Sequence, residues 1–92
     1  MKAAPVYTPD LYDLAHAVID ARYAHKLRTG APATYVTISH LDSAPLVRLA
    51  DRNPGWVRLD REGLRPASAF GLEVVIDPKQ RAGTATATAH RP

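Results

Sequence analysis

Cysteine is absent from this chain of 92 residues, and large apolar side chains are scarce. Without cysteine, disulfides and cysteine-ligated metal sites are excluded, and the redox compartment is undetermined. The chain holds one Phe, one Trp and one Met, and many of its apolar residues are Ala, which bury little area each. A domain of this size buries only about 60–65% of its unfolded surface. We therefore expect one domain with a small core that profits from a partner or from self-association.

Long apolar runs and strong charge of one sign are lacking as well. No stretch approaches the roughly 20 apolar residues of a membrane span, and the first seven residues do not resemble a secretory signal. A cytoplasmic protein without a membrane partner is the default expectation. The formal net charge is only +3, and its clearest imbalance is at the end of the chain, where segment 78–92 holds Lys79, Arg81 and Arg91 and no acid. Charge this sparse is typical of a solvated chain end, so nucleic acid is a partner that we do not favour.

The residue patterns that catalysis or metal binding requires are also missing. The four histidines are His16, His25, His40 and His90, and no two share the spacing of a helical ligand pair. No serine lies in a nucleophile elbow, and the glycines never cluster into a phosphate-binding loop. His40-Leu-Asp42 could orient an imidazole for base catalysis, but polar residues at a strand-to-helix junction are the commoner explanation. We expect no enzyme, no cofactor and no metal.

The first third of the chain predicts a long amphipathic helix over residues 9–28. Thr8 is the expected N-cap, Pro9 suits the first helical position, and Gly30 is a favourable residue just past the end. Its apolar residues recur at helical spacing and predict one stripe. That stripe consists of Leu11, Leu14, Ala15, Val18 and Ile19, widened by Tyr12, Tyr23 and Leu27.

The middle of the chain predicts a strand, a second helix and a short strand. Residues 34–39 are rich in β-branched side chains, and Val36 and Ile38 should face the core. A second helix should begin at a cap formed by Asp42 or Ser43. It should end at Asn53-Pro54-Gly55, which is a strong turn signal. Residues 56–60 then predict a short strand.

The last third predicts a turn over 61–66 with a brief extended piece, and then two strands. Residues 69–76 form the strongest strand pattern in the chain. Residues 83–89 alternate Thr and Ala and should pair with the strand at 70–76 as a hairpin, although a flexible low-complexity tail is an alternative. The expected fold is α+β. It has two helices on one face of a small, mainly antiparallel sheet of three to four strands, with a C-terminal hairpin.

The domain organisation follows from these patterns. Residues 1–8 should be an extended N-terminus, residues 9–89 a single α+β domain, and residues 90–92 a tail.

Trp56 marks the clearest candidate for an interface. Arginines surround it in the sequence, and Trp and Arg together are the composition of binding hot spots. The predicted protein-binding residues are Trp56, Arg58, Arg61 and Arg65. The alternative is that Trp56 packs in the core beneath the second helix. Binding of a nucleic-acid strand by stacking and charge ranks lower, because acids are interspersed among these arginines.

The order of these segments resembles the axial domain of the major capsid protein fold of tailed bacteriophages. The likeness rests on the strand at 34–39, the polar turn at 40–42, and the helical segment Leu46–Ala50. It continues in Phe70–Ile76 and in Ala82–Thr86, which resemble the family's apolar strand and its Ala-Gly-Thr strand. The likeness spans about residues 9–89.

Two departures limit what this resemblance implies. Glu73 stands where the family often has Pro, and 92 residues leave no room for the extended loop, spine helix and N-terminal arm that build a shell. The resemblance therefore implies a stand-alone relative of one domain.

From these observations we expect a small phage- or prophage-type accessory or structural protein, in the host cytoplasm or in the virion. It should act without catalysis, through contacts with a virion protein or by forming a homo-oligomer. The alternative is a phage-encoded inhibitor of a host defence or regulatory nucleoprotein complex. A basic nucleic-acid-binding module is the third hypothesis.

Overall fold

The computed structural model describes residues 7–92, so most of the expected extended segment 1–8 lies outside the described residues. Within these described residues, the fold consists of two helices and five strands. In chain order they are α1 (Leu11–Thr29), β1 (Tyr35–Ile38), a 3₁₀ turn (His40–Asp42), α2 (Ser43–Arg52), β2 (Val57–Leu59), β3 (Pro66–Ala69), β4 (Leu72–Ile76) and β5 (Ala85–Thr88). The predicted α+β class is confirmed.

The strands form one mixed sheet in the order β2-β3-β4-β1-β5. β1 runs parallel to β4 and antiparallel to β5, and the β2–β3 and β3–β4 pairs are antiparallel. Three of four pairings are thus antiparallel, as expected, but the strands number five rather than three or four. The additional strand is β3, which overlaps the brief extended piece predicted within 61–66 only at Pro66.

The pairing expected for the Thr-Ala strand requires a correction. A hairpin is present in this half of the chain, but it joins β3 to β4. β5 pairs with β1, which lies between β4 and β5, so the segment is neither a partner of β4 nor an unpaired tail. Residues 77–84 connect β4 to β5, and the backbone N–H of Asp77 donates to the carbonyl of Ile38 (3.0 Å) as the chain passes the end of β1. This connection is longer than the two to five residues of a typical hairpin.

The predicted strand over 69–76 is divided by a tight turn. Ala69 ends β3 and pairs directly with Leu72 of β4. Between them, Phe70 and Gly71 both adopt positive φ angles, 51° and 81°. Two consecutive left-handed residues form the two-residue hairpin turn whose twist matches that of the flanking strands.

Helix α1 begins later than predicted. Its N-cap is Asp10 rather than Thr8, because the Asp10 carboxylate accepts hydrogen bonds from the backbone N–H groups of Tyr12 (2.9 Å) and Asp13 (3.0 Å). The expected stop is confirmed, since Gly30 adopts φ 75° and its N–H donates to the carbonyl of Lys26. Asp42 occupies the N-cap position of α2, but its side chain makes no capping hydrogen bond.

One apolar core holds the elements together. It lies between the two helices and one face of the sheet, and β1 and β4 contribute its centre. The fully buried members include Leu14, Val18, Val36, Ile38, Leu46, Leu49 and Leu72. The inward orientation predicted for Val36 and Ile38 is confirmed.

Candidate protein-binding surface

Helix α1 carries two apolar faces rather than the single stripe that was predicted. Leu14, Ala15 and Val18 are buried in the core. The apolar residues of the other face are exposed, and they are Tyr12, Ile19, Tyr23 and Leu27. At 100° per residue these four lie within an arc of about 80°, centred roughly 125° away from the core face. The widened stripe of the sequence prediction is thus two separate surfaces.

The outermost members of this second face are well exposed. Tyr23 retains 64% and Leu27 69% of their accessible area. Two bases, Arg22 and Lys26, flank the face along one side of the helix, while Asp13 and Asp20 flank the other. An apolar stripe bordered by charges of opposite sign is a surface that a complementary partner could recognise in one orientation.

Trp56 joins this face of α1 to the sheet. Its ring lies edge-on to that of Tyr12, with the centroids 6.1 Å apart, and tilted against that of Phe70 at 5.7 Å. The backbone N–H of Phe70 donates to the Trp56 carbonyl (2.8 Å), which fixes the β3–β4 turn beside the indole. Trp56 nevertheless stays 40% exposed, so it does not lie in the core beneath α2.

A hydrogen bond from α1 positions Phe70, one member of the aromatic cluster. The Arg22 guanidinium donates to the carbonyl of Phe70 (2.9 Å). The exposed face of α1 and the cluster therefore form one surface, which we call the α1–Trp56 surface. Its members are Tyr12, Ile19, Tyr23, Leu27, Trp56 and Phe70.

The predicted arginines are exposed but are not gathered around the indole. Arg58 lies on the sheet face away from the helices, opposite Ser68 of β3. Trp56 precedes β2 in a turn, and its ring packs against Tyr12 of α1. Arg61 and Arg65 are exposed in the β2–β3 loop.

A carboxylate shapes that loop. The Asp60 side chain accepts from the backbone N–H groups of Leu64 (2.9 Å) and Arg65 (3.4 Å). Asp60 is thus occupied with loop structure, and the exposed arginines project from a defined turn.

The His40-Leu-Asp42 pattern forms a structural junction. Asp42 is fully buried and accepts hydrogen bonds from the Tyr7 hydroxyl (2.5 Å) and the Gly83 backbone N–H (2.9 Å). His40 is exposed and makes no side-chain hydrogen bond to residues 7–92. Partial burial raises the pKa of Tyr7 to about 12, and the hydrogen bond and negative charge of Asp42 add to the effect. Asp42 therefore connects Tyr7 and Gly83, which are far apart in the sequence, rather than orienting the His40 imidazole.

Within residues 7–92, no group of three or more His, Asp or Glu side chains is arranged to hold a metal ion. No helix in that same range has the length and apolar character needed to cross a bilayer.

No family model, curated protein or solved structure matches this chain. The resemblance to the capsid axial domain accordingly stays a prediction.

The second face of α1 and the role of Phe70 were not predicted from the sequence. The spacing of Tyr12, Ile19, Tyr23 and Leu27 carried a signal for that face, because these apolar residues follow each other at intervals of seven, four and four residues, separate from the core positions. The contact between Trp56 and Phe70 had no local signal, since it depends on where the β3–β4 turn lies.

Proposed function

We propose that this protein acts without catalysis, by binding another protein through the α1–Trp56 surface. The observation that carries the proposal is the concentration of exposed apolar residues there. Among residues 7–92, eight large apolar side chains are exposed, and five of them belong to this surface. Those five are Tyr12, Ile19, Tyr23, Leu27 and Trp56. Contiguous exposed apolar patches mark interaction sites, whereas isolated exposed apolar residues are common on any surface.

The composition of the surface supports the same function. Trp and Tyr are the residues that most often dominate binding energy, and Trp56, Tyr12 and Tyr23 are partly exposed here. The cluster is also preorganised, because the Arg22 hydrogen bond holds the Phe70 turn before any partner arrives. Preorganised side chains lose less conformational entropy on binding.

The biological setting that we propose is that of an accessory or structural protein of a tailed phage or prophage. It is supported by the resemblance to the capsid axial domain. The partner would then be a virion component or a second copy of this chain, in the host cytoplasm or in the virion.

Affinity purification of the tagged chain, followed by reconstitution with the purified partner, tests the proposal. Ile19→Arg and Tyr23→Asp should each weaken the reconstituted complex at least tenfold. Leu64→Arg is the matched control, because Leu64 is 71% exposed in the β2–β3 loop and lies outside the surface. Equal binding by Ile19→Arg and Leu64→Arg would contradict the proposal.

Two further measurements distinguish a virion role from the inhibitor alternative and from self-association. Capture of a host nucleoprotein complex in place of virion proteins would favour the inhibitor. Light scattering after size-exclusion chromatography tests self-association. A strict monomer at high concentration with no virion partner argues against a structural role.

A further inference from the structure

A groove lies apart from the α1–Trp56 surface and shares none of its residues. This open groove of about 1560 Å³ runs between the segment that precedes α1, helix α2 and strand β2. Leu11, Val47 and Leu59 are among the apolar residues that line it. Three cationic side chains line it as well, namely Arg48, Arg52 and Arg58. We call this feature the arginine groove.

The helix geometry aligns two of these cations. Arg48 and Arg52 are four residues apart in α2, so both side chains leave the same side of the helix. Arg58 lies on the outer face of β2, and β2 borders the groove. Arg48 and Arg52 therefore share one wall of the groove, and Arg58 lines it from β2, the edge strand of the sheet.

These arginines have no anionic partner in the described part of the chain. The single side-chain ion pair within residues 7–92 joins Arg91 to Glu73. Two carboxylates, Asp10 and Asp51, also line the groove. Asp10 is occupied as the N-cap of α1, where it accepts two backbone hydrogen bonds. Three cations against two acids leave an excess of donors that a ligand carboxylate could satisfy by bidentate pairing.

We propose that the arginine groove binds an extended acidic segment of a protein partner. In an extended chain, successive side chains point to opposite sides. Apolar side chains of the segment would contact Leu11, Val47 and Leu59, and the intervening Asp or Glu side chains would pair with the arginines. This inference rests on the proposed function, because it takes the partner to be a protein.

The lining favours a peptide over a nucleic acid. Proteins that hold single-stranded nucleic acid combine cationic residues with aromatic side chains on which the bases stack. The walls contributed by α2 and β2 contain aliphatic and charged residues but no aromatic residue. Tyr7 is the one aromatic residue among those that line the groove, and its hydroxyl is held by Asp42.

Fluorescence anisotropy with labelled probes tests the inference. The probe is a twelve-residue peptide in which Glu alternates with Leu, and two comparison probes are its Lys-for-Glu counterpart and a twelve-nucleotide single-stranded DNA. The Glu peptide should bind most tightly. Its affinity should fall at least tenfold in Arg48→Glu/Arg52→Glu and should weaken with added salt. Lys79→Glu/Arg81→Glu is the matched control, since it changes net charge equally at two exposed residues outside the groove.

Three results would overturn the inference. They are an equal loss of Glu-peptide affinity in the two double variants, equal affinity for the Lys peptide and the Glu peptide, or tighter binding of the DNA than of the Glu peptide. Arg48→Lys/Arg52→Lys keeps the charge and should retain part of the affinity, which separates a loss of pairing from a loss of folding. Ile19→Arg should leave peptide binding unchanged. If peptide binding fails while the Ile19-dependent complex persists, the groove inference fails and the proposed function stands.

Discussion

The ring of Trp56 packs edge-on against that of Tyr12, with 6.1 Å between their centroids, and so joins the start of β2 to the exposed face of α1. Neither residue is buried, although both are large and aromatic. The pair makes the apolar surface of the helix continuous with the β3–β4 turn. This continuity is the basis for assigning the α1–Trp56 surface to protein binding.

Replacing Trp56 by Ala should destabilise the fold by about 1–3 kcal/mol. The substitution removes two aromatic contacts, to Tyr12 and Phe70, and such pairs contribute about 0.5–1.5 kcal/mol each. Urea denaturation measures the change. Leu64→Ala, at a more exposed site, should stay within about 0.5 kcal/mol. Equal losses in the two variants would show that the cluster contributes no stability.

Replacing Asp42 by Ala should cost about 3–6 kcal/mol, because two hydrogen bonds to a charged group are lost. The buried carboxylate accepts from Tyr7 and from the backbone of Gly83, and hydrogen bonds to charged groups contribute about 1.5–3 kcal/mol each. Asp51→Ala removes an exposed acid on α2 and provides the control. A loss of stability in Asp42→Ala but not in Asp51→Ala supports a stabilising role for the Asp42 hydrogen bonds. Indistinguishable unfolding midpoints for the two variants would refute that role.

Stability should fall as the pH rises from about 10 to about 12. The raised pKa of Tyr7, about 12 against an ordinary 10.0, means that in this window the folded state binds more protons than the unfolded state. Unfolding therefore becomes easier with rising pH. The contribution of protonated Tyr7 to folding stability is complete below pH 10 and is lost as the pH rises through the pKa of Tyr7 in the folded state.

Comparison of Tyr7→Phe with the unmodified chain isolates this effect. The variant should lose the part of the pH dependence that Tyr7 causes, whereas Tyr23→Phe should keep it. Urea midpoints collected across the window provide the measurement. An unchanged pH slope in Tyr7→Phe would show that Tyr7 titrates alike in both states.

Replacing Gly71 by Ala should destabilise the β3–β4 hairpin by about 1–2 kcal/mol. Gly71 has φ 81°, a left-handed conformation that costs L-residues about that amount. An added Cβ would meet no atom within 4 Å, so the cost comes from the backbone alone. Gly55 has equally open surroundings without a positive φ, and Gly55→Ala should stay within about 0.5 kcal/mol. Thermal unfolding of both variants checks the difference.

The parts of the fold that were predictable are those encoded by local patterns. The alternation of Val36 and Ile38 indicated an inward face, and Gly30 indicated the end of α1 through its freedom to adopt positive φ. Strand neighbours were not predictable, because alternation specifies which face a residue occupies and not which strand lies beside it. That is why β5 was expected beside β4.

The candidate surface was predictable only in part. The composition around Trp56 indicated an interface, but a hydrophobic pattern alone does not distinguish an apolar residue that packs in a core from one that stays exposed. Ile19 and Tyr23 were therefore included in the core stripe. Their exposure depends on the position of α2 and the sheet, which only the assembled fold determines.

Site-specific photo-crosslinking tests the central claim most directly. A photoreactive phenylalanine analogue would replace Tyr23 or, in a separate variant, Leu64, in cells that naturally make the chain. Position 23 should yield a discrete adduct with one protein, which Ile19→Arg in the same chain abolishes, and position 64 should yield none. Adducts from position 64 alone, or an adduct at position 23 that survives Ile19→Arg, would contradict the assignment of the α1–Trp56 surface.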